Sequence, residues 1–343
     1  MDSITQAALG ASLAGAVAGR HLGRSSLLVG AALGTLPDLD VVIDYGTAIA
    51  NFSQHRGFSH SVLVLLPLSV LLAWILQRWR PAPGYRRWLL LTSLILLTHP
   101  MLDAFTAYGT QILWPFAYPV AISSIFIIDP LYTLPLFAGI MVFLVRGTAI
   151  RAVTLGLAVS TLYLGWTLAA QQIISSRVDP ALAEAGLQDA PRLVQPMPFS
   201  TLLWRVTVNS DVQRVEIVTG FLDGDAPLLL QYFPRRPDLE AAAKSSVEGR
   251  RLDWFTDGFV AYGLKEQTLT ATDIRLGLPG VHPFIFTLGH YENGNLTPAP
   301  SRKLARPGLR REPFLALWQR MTGQATVLCL ASLTIPAPHE TCS

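Results

Sequence analysis

The chain has 343 residues, of which 51% are hydrophobic and only 14% charged, with a formal net charge of +3. An ordinary soluble protein carries about 25% charged residues, so this balance and the mean hydropathy of +0.40 point to a membrane protein. The charge is too small and too dispersed for a nucleic-acid partner. Two cysteines without a CxxC pair argue against thiolate zinc sites and redox motifs.

The chain begins Met1-Asp2-Ser3, without the positive start of a cleavable signal peptide, so this end is expected in the mature protein. Residues 4–19 read as a helix in which Ala7, Ala11, Gly15 and Gly19 recur every four residues. Such a face lets another helix approach closely in lipid. Residues 26–44 read as a second apolar helix, with Gly30 and Gly34 as a further close-contact pair. Pro37 disrupts or ends it, leaving Asp38 and Asp40 at its mouth. Then comes His55-Arg56-Gly57-Phe58-Ser59-His60-Ser61, directly before an apolar run. Polar groups at the lip of a hydrophobic segment are costly unless they bind something.

Residues 61–77 read as a third span and 88–104 as a fourth, in which His99 and Asp103 share one helical face. Residues 105–124 form a polar-aromatic loop. Residues 125–145, interrupted early by Asp129-Pro130, read as a fifth span and 151–172 as a sixth. The expected fold over residues 1–176 is therefore an all-α polytopic membrane domain of about six helices. Several spans fall short of the roughly 20 residues that cross a bilayer, which tilt or local thinning would accommodate.

A polar helix or linker covers 173–190. Alternation then predicts strands at 204–209, 212–221, 228–233, 251–264, 268–278 and 283–291, with helices at 238–248 and 313–321. Residues 177–343 are thus expected to form an extracytoplasmic α+β domain with a mainly antiparallel sheet. Cys329 and Cys342 lie there, either paired or as two free thiols, and surface positions are expected for His282, His290 and His339.

The turns at 20–25, 78–87 and 146–151 hold eight arginines, whereas 38–60 and 104–124 hold only Arg56. The positive-inside rule places the first set in the cytoplasm. The expected location is the cell inner membrane, multi-pass, with the C-terminal domain on the periplasmic side. Asp2, Asp38, Asp40, His55, His60, His99, Asp103 and Asp129 then all fall at the outer face.

Imidazoles with carboxylates suit zinc, manganese or iron better than calcium or magnesium. The expected metal ligands are His55, His60, His99, Asp103 and Asp38, holding one or two divalent ions, zinc first and manganese or iron after it. Asp40 would be a further ligand or orient the histidines. Asp129 would be a ligand or general base, and Arg56 would pair with an anionic group such as phosphate. Ser59, Ser61, Thr106 and Tyr108 are hydrogen-bonding neighbours. The bland alternatives are turn or cap roles for Asp38 and Asp40, a helix N-cap for Asp129, and simple packing for Gln6.

Met1-Asp-Ser-Ile-Thr-Gln-Ala-Ala-Leu-Gly10, Pro37-Asp-Leu-Asp40, the 55–61 stretch, His99-x-x-x-Asp103, Thr106-x-Tyr-Gly-Thr110, Trp114-Pro-Phe116 and Ile128-Asp-Pro-Leu-Tyr132 go together. As a set they resemble the YdjM-type family of bacterial inner-membrane, metal-dependent hydrolases, over most of residues 1–145. Trp204, Asp253-Trp-Phe255 and Asp273-Ile-Arg-Leu-Gly277 are similar to an outer C-terminal region of longer members. Some shorter members carry a histidine near Gln6, where this chain has a weaker ligand. The resemblance implies a hydrolase without naming its substrate. The His-x-x-x-Asp element is also similar to zinc-dependent phospholipase C, an analogy at the level of fold.

These features lead to an integral membrane metal-dependent hydrolase with its site at the outer interface. Its expected substrate and partner is a membrane lipid or lipid-linked phosphoester, and the sequence leaves a protein partner open. The alternatives are a membrane metallopeptidase or amidase, for which His-Glu-x-x-His is missing, and a non-enzymatic metal-binding membrane protein.

Overall fold

The computed structural model describes residues 1–147, 149–224, 226–305, 317–323 and 330. Cys329, Cys342, His339 and residues 313–316 of the helix expected at 313–321 lie outside the described residues, and 317–321 are helical. The chain divides into two compact units. The N-terminal unit comprises Met1–Ile43, Gln54–Ala169 and Pro198–Ser200, and the C-terminal unit Asp44–Ser53, Ala170–Met197 and Thr201–Ser343.

In the N-terminal unit, Asp2 caps helix α1 (Ser3–Leu22) by accepting from the amides of Ile4 and Thr5. Helix α2 (Ser25–Thr35) packs against it so closely that a Cβ on Gly30 would stand 2.2 Å from the Gly10 carbonyl oxygen. One on Gly34 would stand 2.5 Å from the Gln6 carbonyl oxygen. Glycines thus set the spacing, but the contact centres on Gly10, whereas Gly15 and Gly19 face side chains of Leu27, Val153 and Phe143. Pro37 cannot continue the α-helical ladder, and Pro37–Val42 form a 3-10 turn instead. After the short helix α3 (Ala48–Gln54) a second 3-10 turn, Phe58–His60, leads into α4 (Val62–Trp79).

Helix α5 (Tyr85–Ala104) runs back along α4, with Ser69 Oγ 3.0 Å from Ser93 Oγ and Trp88 Nε1 donating to the Arg80 carbonyl. Helix α6 (Pro130–Arg146) and the 35-residue α7 (Ile150–Glu184) follow. Leu9, Leu102, Ile125, Tyr132, Leu136, Phe143 and Val153 are buried together in the core.

The expectation of about six membrane spans is not met. Among the described residues, two helices, α4 and α7, are long and apolar enough to cross a membrane. Helices α2 and α6 have 11 and 17 residues, or about 17 and 26 Å at 1.5 Å per residue, against a hydrocarbon core of about 30 Å. Pro37 cuts the first short and Asp129-Pro130 delays the start of the second. Helix α5 has the length but carries Arg86, Arg87, His99 and Asp103. Hydropathy summed along the chain does not see where a helix breaks, so the all-α polytopic domain gives way to an α/β chain with two candidate spans.

The C-terminal unit holds two antiparallel four-stranded meanders. The first is β1 (Arg192–Pro196), β2 (Leu203–Asn209), β3 (Gln213–Gly220) and β4 (Gln231–Pro234). Trp204, Val206, Val208, Val215 and Ile217 join Ala170, Ile174, Val178 and Leu182 in one apolar cluster. Strand alternation sends Arg205 and Thr207 to the opposite face, with Arg214 and Glu216 beside them.

Helices α8 (Pro237–Ser245) and α9 (Val247–Thr256) precede the second sheet: β5 (Val260–Lys265), β6 (Thr268–Asp273), β7 (Ile285–Glu292) and β8 (Asn295–Pro298). The strand expected at 251–264 is thus helical to Thr256, because Ser246 caps α9. Helix α3 up to Ser53 belongs to this unit, where Phe52 packs on Phe255, Phe284 and Phe286 with ring centroids 4.6–5.2 Å apart. His282, expected at the surface, is buried, and its Nδ1 lies 2.7 Å from the Leu276 carbonyl oxygen.

Candidate metal centre

Asp38, His60, His99 and Asp103 each offer a ligand atom, and these four atoms lie within 4.8 Å of one another. All four residues belong to the N-terminal unit. Asp38 comes from the 3-10 turn after α2, His60 from the turn before α4, and His99 and Asp103 from one face of α5. Both imidazoles and Asp103 are fully enclosed, and Asp38 is the ligand group that opens outward, with a side chain 15% exposed.

The hydrogen bonds fix where the protons are. His99 Nδ1 lies 2.7 Å from the Gly34 carbonyl oxygen. A carbonyl only accepts, so Nδ1 carries the proton and Nε2 presents a lone pair. Ser59 Oγ donates its single proton to Asp40 Oδ2 at 2.6 Å. It must therefore accept from His60 Nδ1, 2.9 Å away, which leaves His60 Nε2 bare as well.

The two bare nitrogens face each other at 3.1 Å. Asp103 Oδ2 lies 3.2 Å from His60 Nε2 and 3.5 Å from His99 Nε2. Asp38 Oδ1 lies 3.5 and 3.3 Å from the same nitrogens. Asp103 Oδ2 is buried without a hydrogen-bond partner among the described residues.

With both imidazoles neutral, four electron-rich atoms converge here. Burial alone would raise the Asp103 carboxyl, but Arg56, the Met1 ammonium and His60 hold it well below the usual carboxylate range. Burial likewise opposes the ionisation of Asp38, and His60 and His99 lower it. For His60, burial works against a positive charge, yet Asp103 and Asp38 raise its pKa. The pocket favours positive charge, and a divalent ion fits it. A tetrahedral ion with bonds of about 2.0–2.2 Å spaces its ligand atoms about 3.3–3.6 Å apart, close to the five separations that involve an imidazole nitrogen.

The profile of the YdjM inner membrane protein family matches residues 1–174. This chain belongs to the YdjM family. Among its relatives, the inner membrane protein YbcI of Escherichia coli (strain K12) is 39% identical over 94 residues, 26% of this chain and 54% of that protein. The uncharacterized protein YfhP of Bacillus subtilis (strain 168) is 28% identical over 178 residues, 51% of this chain and 52% of that protein. The chain thus spans about half the length of the curated relatives it matches. No solved structure matches it.

Other residues expected at the site of this YdjM-family chain are placed differently. His55 is not in the group of four, because its Nδ1 stands 2.8 Å from Asp40 Oδ1. Asp40 is also outside it, accepting from His55, the Arg56 amide and Ser59. Successive residues of a 3-10 helix turn by about 120°, so Asp38 and Asp40 on one turn serve different partners.

Asp129 is the N-cap of α6, accepting from the amides of Leu131 and Tyr132 and from the Tyr163 hydroxyl at 2.9 Å. Burial pushes its carboxyl up despite these bonds. Arg56, expected to bind an anion, is 4% exposed. Its Nε lies 3.3 Å from Asp103 Oδ2 and its guanidinium sits over the Tyr108 ring. It therefore steadies a candidate ligand.

Three partners take roles at the site that the sequence did not assign to them. Gly34 lends His99 a carbonyl through the close α1–α2 contact. Gln6 donates to Asp103 Oδ1 at 3.0 Å and to the His99 carbonyl at 3.1 Å. The Met1 amino group donates to the same carboxylate.

Proposed function

We propose that this chain is a metal-dependent hydrolase working at the membrane surface on a lipid or lipid-linked phosphoester. The observation that carries the reading is the convergence of His60 Nε2, His99 Nε2, Asp38 Oδ1 and Asp103 Oδ2, with both Nδ1 atoms hydrogen-bonded elsewhere. These four residues would hold the ion, and two imidazoles with two carboxylates suit zinc, manganese or iron. A bound ion of this kind acidifies water and offsets charge on a phosphoryl oxygen. The chain's own contribution is orientation: Gly34 fixes the His99 ring, Ser59 fixes the His60 ring, and Arg56 and Gln6 hold Asp103.

Two observations favour a lipid. The 3-10 turn that carries Asp38 also carries Leu39, Val41 and Val42, and Val42 is 80% exposed. Ile4, one residue from the Ser3 hydroxyl that donates to Asp38, and Phe116 are exposed too. Exposed apolar side chains on the turn that carries a candidate ligand suit an acyl environment better than water. His60 also lies two residues before α4, a candidate span. Arg78 and Arg80 mark the far end of α4, and Arg151 opens α7. The positive-inside rule assigns those ends to the cytoplasm and the site and the C-terminal unit to the periplasmic side.

The test is metal analysis of purified protein with hydrolysis assays on phosphatidic acid and phosphatidylglycerol vesicles. Wild-type protein is expected to hold metal and release product, and His60→Ala and Asp103→Ala to lose both together. Full metal and activity in either variant would overturn the reading.

A further inference from the structure

We propose that His55 is the proton-transfer residue of this site and that Asp40 is its positioning residue. The inference rests on the hydrolytic reading above and extends it from the ligands to the group that moves the proton.

The group of four leaves out one histidine of the 55–61 stretch. The His55 ring nonetheless lies close by, edge-on to the His60 ring with centroids 6.1 Å apart, and 5.8 Å from the Tyr108 ring. Its Nδ1 is 2.8 Å from Asp40 Oδ1. Asp40 Oδ2 already accepts from the Arg56 amide at 3.0 Å and from the Ser59 hydroxyl at 2.6 Å. An ionised carboxylate only accepts, so His55 Nδ1 carries the proton and Nε2 has the lone pair.

That Nε2 has no hydrogen-bond partner among the described residues, and the His55 side chain is 26% exposed. The side chains of His60 and His99 are fully enclosed. A histidine with a purely structural role engages both nitrogens or turns one to bulk water far from other chemistry. Here one nitrogen is tied to a carboxylate and the other has no hydrogen-bond partner among the described residues, in a ring edge-on to that of a candidate ligand.

The position of His55 is also enforced. His60 Nδ1 donates to Ser59, Ser59 donates to Asp40, and Asp40 accepts from His55. Three hydrogen bonds therefore lock the ring of a candidate ligand to that of the proton-transfer group. The left-handed backbone at Arg56, with φ of 63°, lets the chain return to the same carboxylate within five residues.

In the step, the oxygen of a water molecule bonds to phosphorus while its proton passes to His55 Nε2. The ester P–O bond breaks and its electron pair leaves on the alcohol oxygen. His55 returns the same proton to that oxygen. One water is consumed, one alcohol and one phosphoryl acid are formed, and nothing is oxidised or reduced. Asp40 keeps Nδ1 protonated and stabilises the transient imidazolium. A positioned acid–base group of this kind is worth about 100- to 10,000-fold in rate.

The test uses full-length wild type, His55→Ala, His55→Gln and Asp40→Asn, with three readouts. These are zinc content after loading, hydrolysis of bis(p-nitrophenyl) phosphate and p-nitrophenyl phosphate, and diethylpyrocarbonate labelling of each histidine by peptide mass spectrometry. Both His55 variants are expected to keep wild-type zinc and lose about 100- to 10,000-fold in turnover, with part restored by added imidazole. In wild type, His55 is labelled while His60 and His99 are spared, and Asp40→Asn slows that labelling. Loss of zinc in both His55 variants would make His55 a ligand and overturn the proposal. So would wild-type turnover in either, or an unlabelled His55. Wild type that binds zinc and cleaves neither ester would overturn the hydrolytic reading itself, and the proton-transfer role with it.

Discussion

Two buried clusters of charged and titratable side chains in this chain are satisfied in different ways. In the C-terminal unit, Arg205 grips Glu216 with both fork nitrogens, at 2.8 and 2.7 Å, and Thr207 adds a bond of 2.7 Å. Arg214 lies 3.2 Å from the same carboxylate, and Arg275 closes on Asp273 in the same forked way. Arg205 and Thr207 there donate to the carboxylate, although Arg214 Nε makes no hydrogen bond of its own. In the N-terminal unit, two imidazole lone pairs and two carboxylates meet one another. Burial of charge does not by itself mark a site, since paired ions are common structural features. Acceptors facing acceptors are costly until a cation arrives.

Three substitutions or treatments test this contrast. The largest effect is expected for Glu216→Ala, which leaves Arg205 and Arg214 buried without their carboxylate. The C-terminal unit should lose about 3–5 kcal/mol, read by denaturant unfolding, and added zinc should restore none of it. Replacing Arg205, Arg214 and Glu216 together by apolar residues should cost far less. If zinc rescued Glu216→Ala, the C-terminal cluster would be no more self-sufficient than the other.

Chelation comes next. An ion present at about 100 times its dissociation constant stabilises the state that binds it by about 2.7 kcal/mol. Its removal should speed amide exchange at 58–63 and 99–106 and leave β2 and β3 unchanged. Equal acceleration in both regions would contradict a local ion.

The smallest effect is expected for Gly30→Ala. The added Cβ would meet the Gly10 carbonyl oxygen at 2.2 Å, so α2 must shift and carry the Gly34 carbonyl away from His99. Loss of such an orienting partner costs about 10- to 100-fold in metal affinity, measurable by competition with a zinc indicator. Unchanged affinity would show that the His99 ring is held by something else.

The candidate site was partly legible because some of its geometry is local. His99 and Asp103 are one helical turn apart and share a face wherever the helix forms. Pro37 had to end α2, and the apolar run after Ser61 had to become a long helix. Other assignments depended on distances along no single element. Five residues separate His55 from His60, and only the left-handed Arg56 and the following 3-10 turn decide that His55 meets Asp40 while His60 meets the group of four. Asp129 carried the same signal as the others, an acid before a proline in an apolar run, and its amides claimed it as a cap.

By itself the sequence determined which residue types can do chemistry and which short segments bring pairs of them together, because helical pitch and proline geometry act within a few residues. It also determined that the chain is apolar over one part and strand-forming over another. Tertiary packing decided which carboxylate meets which imidazole and which nitrogen keeps its lone pair. Those outcomes depend on hydrogen-bond partners such as Gly34, Ser59 and Gln6, which lie in different segments and have no distinctive chemistry until the fold brings them within about 3 Å.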